Sequence, residues 1–169
     1  MAIAAIIVAN DQHFAKGGVK YMEVALNNTD GSQDISIAGV ASGSIGTVVV
    51  VDFEKESAKM SVSMSKADNL TLYTISIEGY LPKVSGATLE LLHNLAKAKN
   101  GLRAKVYTWD ALLKPYLVGW DNVLATSVTN TDFPLILDSI EADTGSALQD
   151  QNGYTVKFSC VQATPPAQY

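Results

Sequence analysis

Residues 59–80 read KMSVSMSKADNLTLYTISIEGY and predict a β-hairpin. Apolar side chains recur at every second position on both sides of a short polar segment, at Met60, Val62, Met64, Tyr73, Ile75 and Ile77. Such alternation is typical of strands with one apolar and one polar face, because successive side chains point to opposite faces. The polar segment 66–69 predicts the turn between the two strands. The opposite face raises a question about function, because it is predicted to carry small hydroxyls and a carboxylate: Ser61, Ser63, Ser65, Thr74, Ser76 and Glu78.

Strand patterns dominate the rest of the chain. Further strands are predicted at 1–10, 19–26, 35–40, 46–53, 102–110, 118–128, 133–142 and 154–162. Segments rich in Gly, Asn, Asp and Ser, such as NNTDGSQD at 27–34, predict the turns between them.

One segment has helical spacing instead. In SGATLELLHNLAKAKNG, residues 85–101, one helix face is predicted to hold Thr88, Leu91, Leu92 and Leu95. Ser85 is a suitable N-cap residue and Asn100-Gly101 a suitable end. We expect Leu91, Leu92 and Leu95 to be buried against a sheet.

Many short strands and one helix predict a mainly β fold, a barrel or sandwich with one flanking helix. The sequence has no repeat or linker, so residues 1–169 are expected to form a single domain. The C-terminal segment 163–169, ATPPAQY, is expected to be a flexible tail.

The composition narrows the class of protein. Hydrophobic residues make up 47% of the 169 residues and the formal net charge is −5, which favours a folded chain over a disordered one. Scattered basic residues in an acidic chain argue against specific nucleic-acid binding. The chain has no targeting signal and no apolar run of membrane-spanning length, so we expect a soluble protein made in a cytosol.

Motifs that could perform chemistry do not have the spacing that the chemistry needs. The protease-like letters DTGS at 143–146 have no supporting apolar strand pattern, and turn chemistry explains them better. The glycines of 39–46 precede a strand, whereas a phosphate loop precedes a helix. His13 and His93 are isolated, and Cys160 falls on the apolar face of the last strand. We therefore expect no catalytic residue, no metal ligand and no cofactor, and we predict that the protein is not an enzyme.

The order of elements resembles the tail-tube family of phage tails, together with related baseplate proteins. The similarity rests on ISIEGYLP at 75–82, the Leu-rich helix, KNGLRAKVYTWD at 99–110 and the closing strands FPLILDSIEADTG and YTVKFSCVQ, and it covers roughly residues 35–162. The resemblance implies a structural virion protein, made in the host cytoplasm, that forms a ring, commonly hexameric, of the tail tube or the tube–baseplate junction.

In such a ring each subunit contributes its sheet to a continuous barrel around a DNA channel. The resemblance therefore implies that the lumen is lined by Ser61, Ser63, Ser65, Thr74, Ser76 and Glu78. Other tail or baseplate proteins are the implied partners, and DNA is only passing cargo.

A second set of residues is predicted to lie between subunits. The segment 41–58, ASGSIGTVVVVDFEKESA, is too apolar at Val48 to Val51 for an exposed arm of a monomer, and unpaired strand edges are normally covered. We expect this segment to extend from the body and to supply interface residues, with Val48, Val49, Val50, Val51 and Phe53 as candidates.

An alternative hypothesis comes from the aromatic residues. Tyr107, Trp109, Tyr116 and Trp120 could form a platform for a sugar ring. The chain would then be a monomeric β-sandwich that binds carbohydrate or protein.

Overall fold

A computed structural model describes residues 18–26, 49–67, 70–98, 101–109, 115–119, 134–145, 152–163 and 165–168. Its elements are β1 Val19–Leu26, β2 Val49–Asp52, β3 Lys59–Ala67, β4 Leu70–Pro82, α1 Gly86–Ala96, β5 Leu102–Thr108, β6 Tyr116–Val118, β7 Ile136–Asp143, β8 Gly153–Gln162 and β9 Ala167–Gln168. The strands predicted at 1–10 and 35–40, and most of the strand predicted at 118–128, lie outside the described residues.

The strands form two antiparallel sheets. The first sheet has the order β2-β1-β5-β6-β9, and the second sheet has the order β3-β4-β8-β7. A bridge between Leu102 and Leu135 links the two sheets at one corner. The backbone N–H of Glu54 donates to the carbonyl of Tyr80 at 2.9 Å and links them at another. Among the described residues the mainly β class with one helix is confirmed, whereas the two sheets do not close into a barrel there.

Side chains from both sheets and from α1 form one hydrophobic core. Its members include Met22, Val24, Val51, Phe53, Ile75, Ile77, Leu92, Leu95, Leu102, Val106, Tyr154, Phe158 and Cys160. Each large side chain buried in this way contributes about 1.5–3 kcal/mol of transfer free energy.

The hairpin of β3 and β4 has the predicted faces. Met60 lies opposite Ile77, Val62 opposite Ile75, and Met64 opposite Tyr73. On β4, Ile75 and Ile77 are fully buried and Tyr73 is partly buried, whereas Val62 and Met64 on β3 remain 44% and 65% exposed. The apolar face of β3 therefore continues past the core, and β3 is an edge strand among the described residues.

The helix begins as predicted and ends earlier. Ser85 is its N-cap, with the side-chain oxygen accepting the N–H of Thr88 at 3.1 Å. The helix stops at Ala96, with Lys97 as C-cap. Leu92 and Leu95 are buried as predicted, but Leu91 is 40% exposed and that expectation is wrong. Successive helical residues are rotated by about 100°, so the buried stripe holds Leu92 while Leu91 falls at its margin.

The C-terminal segment contains a short strand. Ala167 and Gln168 form β9 and pair with Leu117 and Tyr116 of β6. The expectation of a flexible tail at 163–169 therefore does not hold for these two residues.

Candidate functional site

The polar face of the second sheet brings the predicted lumen-facing residues together. Ser61 lies opposite Ser76, and Ser63 lies opposite Thr74. The same face continues across β8, where Ser159 lies opposite Ser76. We call this surface the hydroxyl face and define it by Lys59, Ser61, Ser63, Ser65, Thr74, Ser76, Glu78, Ser139, Glu141, Thr155, Lys157 and Ser159. All of these side chains are exposed or partly exposed.

The hydroxyls of this face are only weakly engaged within the sheet. The Ser61 hydroxyl lies 3.5 Å from the carbonyl oxygen of Ser76, and the Ser63 hydroxyl lies 3.5 Å from that of Thr74. These distances are long for O–H···O bonds, whose usual range is about 2.5–3.0 Å. The hydroxyls can therefore bond to water along the length of the hairpin.

The hydroxyl face carries charges of both signs. The carboxylate of Glu78 lies 3.6 Å from the amino group of Lys59. Lys157 lies opposite Glu78 on β8. With Glu141, the face holds two lysines and two glutamates. Asp143 follows Glu141 on the same face of β7, so this surface is rich in hydroxyls and has a small acidic excess.

One end of the same sheet face is aliphatic instead. Ile136 and Val161 are exposed beside Ser159 and Thr74, and Leu70 is exposed at the hairpin turn. The surface thus changes from charged residues at the Lys59 end, through hydroxyls, to aliphatic side chains at the turn.

Both edges of the second sheet are open. β3 and β7 each pair with one strand only among the described residues. Unpaired N–H and C=O groups along such edges are a template for pairing with another chain.

The predicted interface run at 48–53 proves to be mostly core. Val51 and Phe53 are only 4% and 5% exposed, so their assignment as subunit-interface residues is wrong. The segment pairs with β1 instead of extending from the body, and Val51 lies opposite Met22 on the core side. Val50 is on the other face of β2 and is 59% exposed, Val49 is half-buried, and Val48 lies outside the described residues.

A groove of about 290 Å³ lies where β2, the end of β4 and α1 meet. We call it the β2–α1 groove; its lining residues are Val49, Val50, Val51, Asp52, Leu81, Pro82, Thr88, Leu91 and Leu92. The sequence did not predict this groove, because its walls come from three elements that are far apart along the chain. The apolar run at 48–51 and the Leu-rich helix were the only parts of the sequence that pointed to its walls.

The aromatic platform of the alternative hypothesis is divided between two faces. Tyr107 stacks on Tyr21 with ring centroids 4.4 Å apart, and its hydroxyl donates to Glu23 at 3.2 Å. Burial, followed by the charge of Glu23, raises the pKa of Tyr107 to about 12. Tyr116 lies opposite Val106 and packs against the core on the other face of the sheet. Trp120 lies outside the described residues.

Two motifs considered for chemistry have structural roles. Cys160 is buried, and burial raises the pKa of its thiol to about 11, which disfavours the reactive thiolate. The side chain of Asp143 accepts the N–H of Gly145 at 2.8 Å, which is the turn chemistry predicted for DTGS.

Within the described ranges, no three His, Cys, Asp or Glu residues are grouped so that they could hold a metal ion. In the same part of the chain, no helix is long and apolar enough to cross a membrane.

No protein-family model, curated protein or solved structure matches this chain. None of these comparisons identifies a tail-tube family, so that resemblance stays a prediction from the order and pattern of the elements in the sequence. The hydroxyl face, the open sheet edges and the β2–α1 groove are the surfaces from which a function can be inferred.

Proposed function

We propose that this protein is a structural subunit of a phage tail, forming a ring of the tail tube or of the tube–baseplate junction around the DNA channel. One observation supports this function above the others. A four-stranded sheet exposes a hydroxyl-rich face with charges of both signs and leaves both edge strands unpaired among the described residues.

Strand direction is compatible with ring closure. All pairs in the second sheet are antiparallel, so β3 and β8 run one way while β4 and β7 run the other. In a cyclic ring every copy has the same orientation about the axis. The β7 strand of one copy and the β3 strand of the next then run in opposite directions, and their pairing continues the antiparallel pattern. A closed barrel removes both open edges.

The size of such a barrel fits a conduit. Six copies of the four-stranded sheet give ~24 strands, and strands lie ~4.8 Å apart, so the backbone circle is roughly 37 Å across before strand tilt widens it. Side chains on the inner face leave an open channel in a barrel of this size. The hydroxyl face would line that channel.

The chemistry of this lining suits DNA that moves without binding. Nucleic-acid affinity comes mainly from lysines and arginines that neutralise phosphates. On the hydroxyl face Lys59 is paired with Glu78, and Lys157 lies opposite the same carboxylate. The remaining serines and threonines exchange hydrogen bonds with water, so phosphates find no cluster of unpaired positive charge on this face.

Disulfide trapping at the two sheet edges tests the ring. Ser63→Cys on β3 is combined in turn with Ser139→Cys and with Glu141→Cys on β7. The oxidised proteins are then separated on a denaturing gel without reductant. Within one chain β3 and β7 are separated by two strands, about 14 Å, which is too far for a disulfide. We expect a ladder of covalent oligomers that stops at the ring size, and a matching mass under native conditions.

Ser63→Cys combined with Lys97→Cys, which lies at the end of the helix, is the matched control and should give no ladder. A wild-type chain that stays monomeric at high concentration, with no ladder from either edge pair, would overturn the ring. That result would favour the monomeric β-sandwich that binds carbohydrate or protein.

A further inference from the structure

The hairpin of β3 and β4 ends in an apolar surface that the described part of its own chain does not cover. Val62 and Met64 lie on the core side of the sheet and are largely exposed. Lys66 lies on the same side, because it is two residues beyond Met64, and it is also exposed. We call these three residues the hairpin tip. Exposed aliphatic side chains grouped around one charge are typical of a contact surface.

The β2–α1 groove has the complementary properties. Val50 and Leu91 are exposed large apolar residues that line it, and Asp52, on the same outer face of β2 as Val50, is the acidic residue of its lining. The N–H of Phe53 donates to the carbonyl of Lys20, so the antiparallel alternation directs the N–H and C=O groups of Val50 and Asp52 away from β1. The groove therefore combines an apolar floor, an acidic residue and a strand edge that no other described strand pairs with.

We propose that the hairpin tip of one copy of this chain docks in the β2–α1 groove of a second copy and stacks rings head to tail. This inference rests on the proposed function, because it takes the ring as the unit that stacks.

The two surfaces lie near opposite ends of β4, so a contact between them would stack one copy on the next. The hairpin tip lies at the Leu70 end of β4, and the groove lies at the Leu81–Pro82 end. Met64 lies opposite Tyr73, eight residues before Leu81, so the two surfaces are separated by roughly 27 Å along the strand. A contact between two different patches at opposite ends of a molecule is heterologous, and it repeats along an axis unless the rotation closes it.

The chemistry of the two surfaces identifies a second copy as the occupant. Met64 is a flexible apolar side chain, which suits an irregular groove between a strand and a helix. Lys66 on the tip has a charge opposite to that of Asp52 in the groove. Both halves of the contact are present in one chain, so a second copy is sufficient to complete it.

Charge reversal tests the contact without disturbing the core. Lys66→Glu places two carboxylates against each other. We expect at least about tenfold fewer multi-ring particles, because each ring makes several of these contacts and the losses in affinity multiply. The ring itself should persist, with an unchanged native mass and an unchanged disulfide ladder. Asp52→Lys added to Lys66→Glu restores opposite charges and should restore stacking, as seen by sedimentation and electron microscopy.

Disulfide trapping gives a second measurement. Met64→Cys with Leu91→Cys should link chains of adjacent rings, and it cannot link within one chain across the length of β4. Ser65→Cys with Leu91→Cys is the matched control, since Ser65 lies on the opposite face of β3. Rings that stack normally with Lys66→Glu and give no Met64–Leu91 link would overturn this contact and leave the ring intact. A chain that forms no ring at all would overturn the proposed function instead.

Discussion

Gly79 lies where the connection between β2 and β3 crosses β4. A Cβ at this position would be 2.5 Å from a ring carbon of Phe53 and 2.7 Å from the Cβ of Ala58. Both neighbours are buried in the core. The missing side chain therefore lets the connection at 53–58 close over the strand, which brings β2 next to the end of β4 and shapes the groove.

Gly79→Ala should destabilise the fold by about 1–3 kcal/mol, the usual cost of forcing an extra carbon into a packed core. Urea denaturation measures the change. Gly86→Ala at the start of the helix is the matched control, because a methyl group there would have no atom within 4 Å. That variant should be neutral or more stable by about 0.5 kcal/mol. Equal stability of the two variants would contradict the close packing at Gly79.

The stacked pair of Tyr21 and Tyr107 makes stability depend on alkaline pH. The pKa of Tyr107 is raised from 10.0 to about 12, mainly by burial, so folding favours its protonated form. Its contribution is complete below pH 10 and is lost as the pH rises toward 12. Tyr107→Phe should therefore reduce the loss of stability across this window, as measured by thermal unfolding at about pH 8 and about pH 11. A pH dependence identical to that of the wild type would show that Tyr107 is not responsible.

At the scale of elements, the helix separates two leucines that are neighbours in sequence. Leu92→Ala should cost about 2–5 kcal/mol, because its side chain is 2% exposed and its removal leaves a cavity. Leu91→Ala should cost less than about 1 kcal/mol, since that side chain is partly in solvent. Chemical denaturation of the two single variants measures the difference. Similar costs would mean that Leu91 belongs to the core.

The hairpin and the helix could be predicted because each has a clear period over many residues. The alternation at 59–80 correctly groups Ser61, Ser63 and Ser76 on one face. The alternation could not predict how deeply each side chain is buried. Val62 and Met64 have the same pattern as Ile75 and Ile77 but lie beyond the end of the core. The two-residue strand β9 is too short to have a period at all.

At the scale of the whole molecule, the relation between the sheets could not be predicted. The run at 48–51 has no polar residue to indicate its faces, so its sequence does not distinguish Val51, which belongs to the core, from an interface residue. The groove depends on β2, β4 and α1 meeting, and no local pattern predicts such a meeting. Sequence periodicity therefore located the hydroxyl face and missed the β2–α1 groove.

A ring lined by the hydroxyl face should not retain duplex DNA at physiological salt. Replacing Ser63 and Ser76 with lysine adds unpaired positive charge to the lining, and binding should appear and weaken steeply as salt rises. Retention of labelled duplex by purified assemblies measures the effect. Glu90→Lys, at an exposed position on the helix, changes the net charge by the same amount and is the matched control. Equal retention by the two variants would argue against the hydroxyl face as the lining.

The length of the hairpin of β3 and β4 should also set the axial repeat of the assembly. Its side chains alternate with a period of two, and its tip and the groove lie at opposite ends of β4. One apolar–polar pair inserted in each arm, between Ser61 and Val62 and between Ile75 and Ser76, keeps every side chain on its own face. The axial repeat of the assembly should then lengthen by about 7 Å. A single residue inserted in each arm would instead turn the tip over and end the stacking.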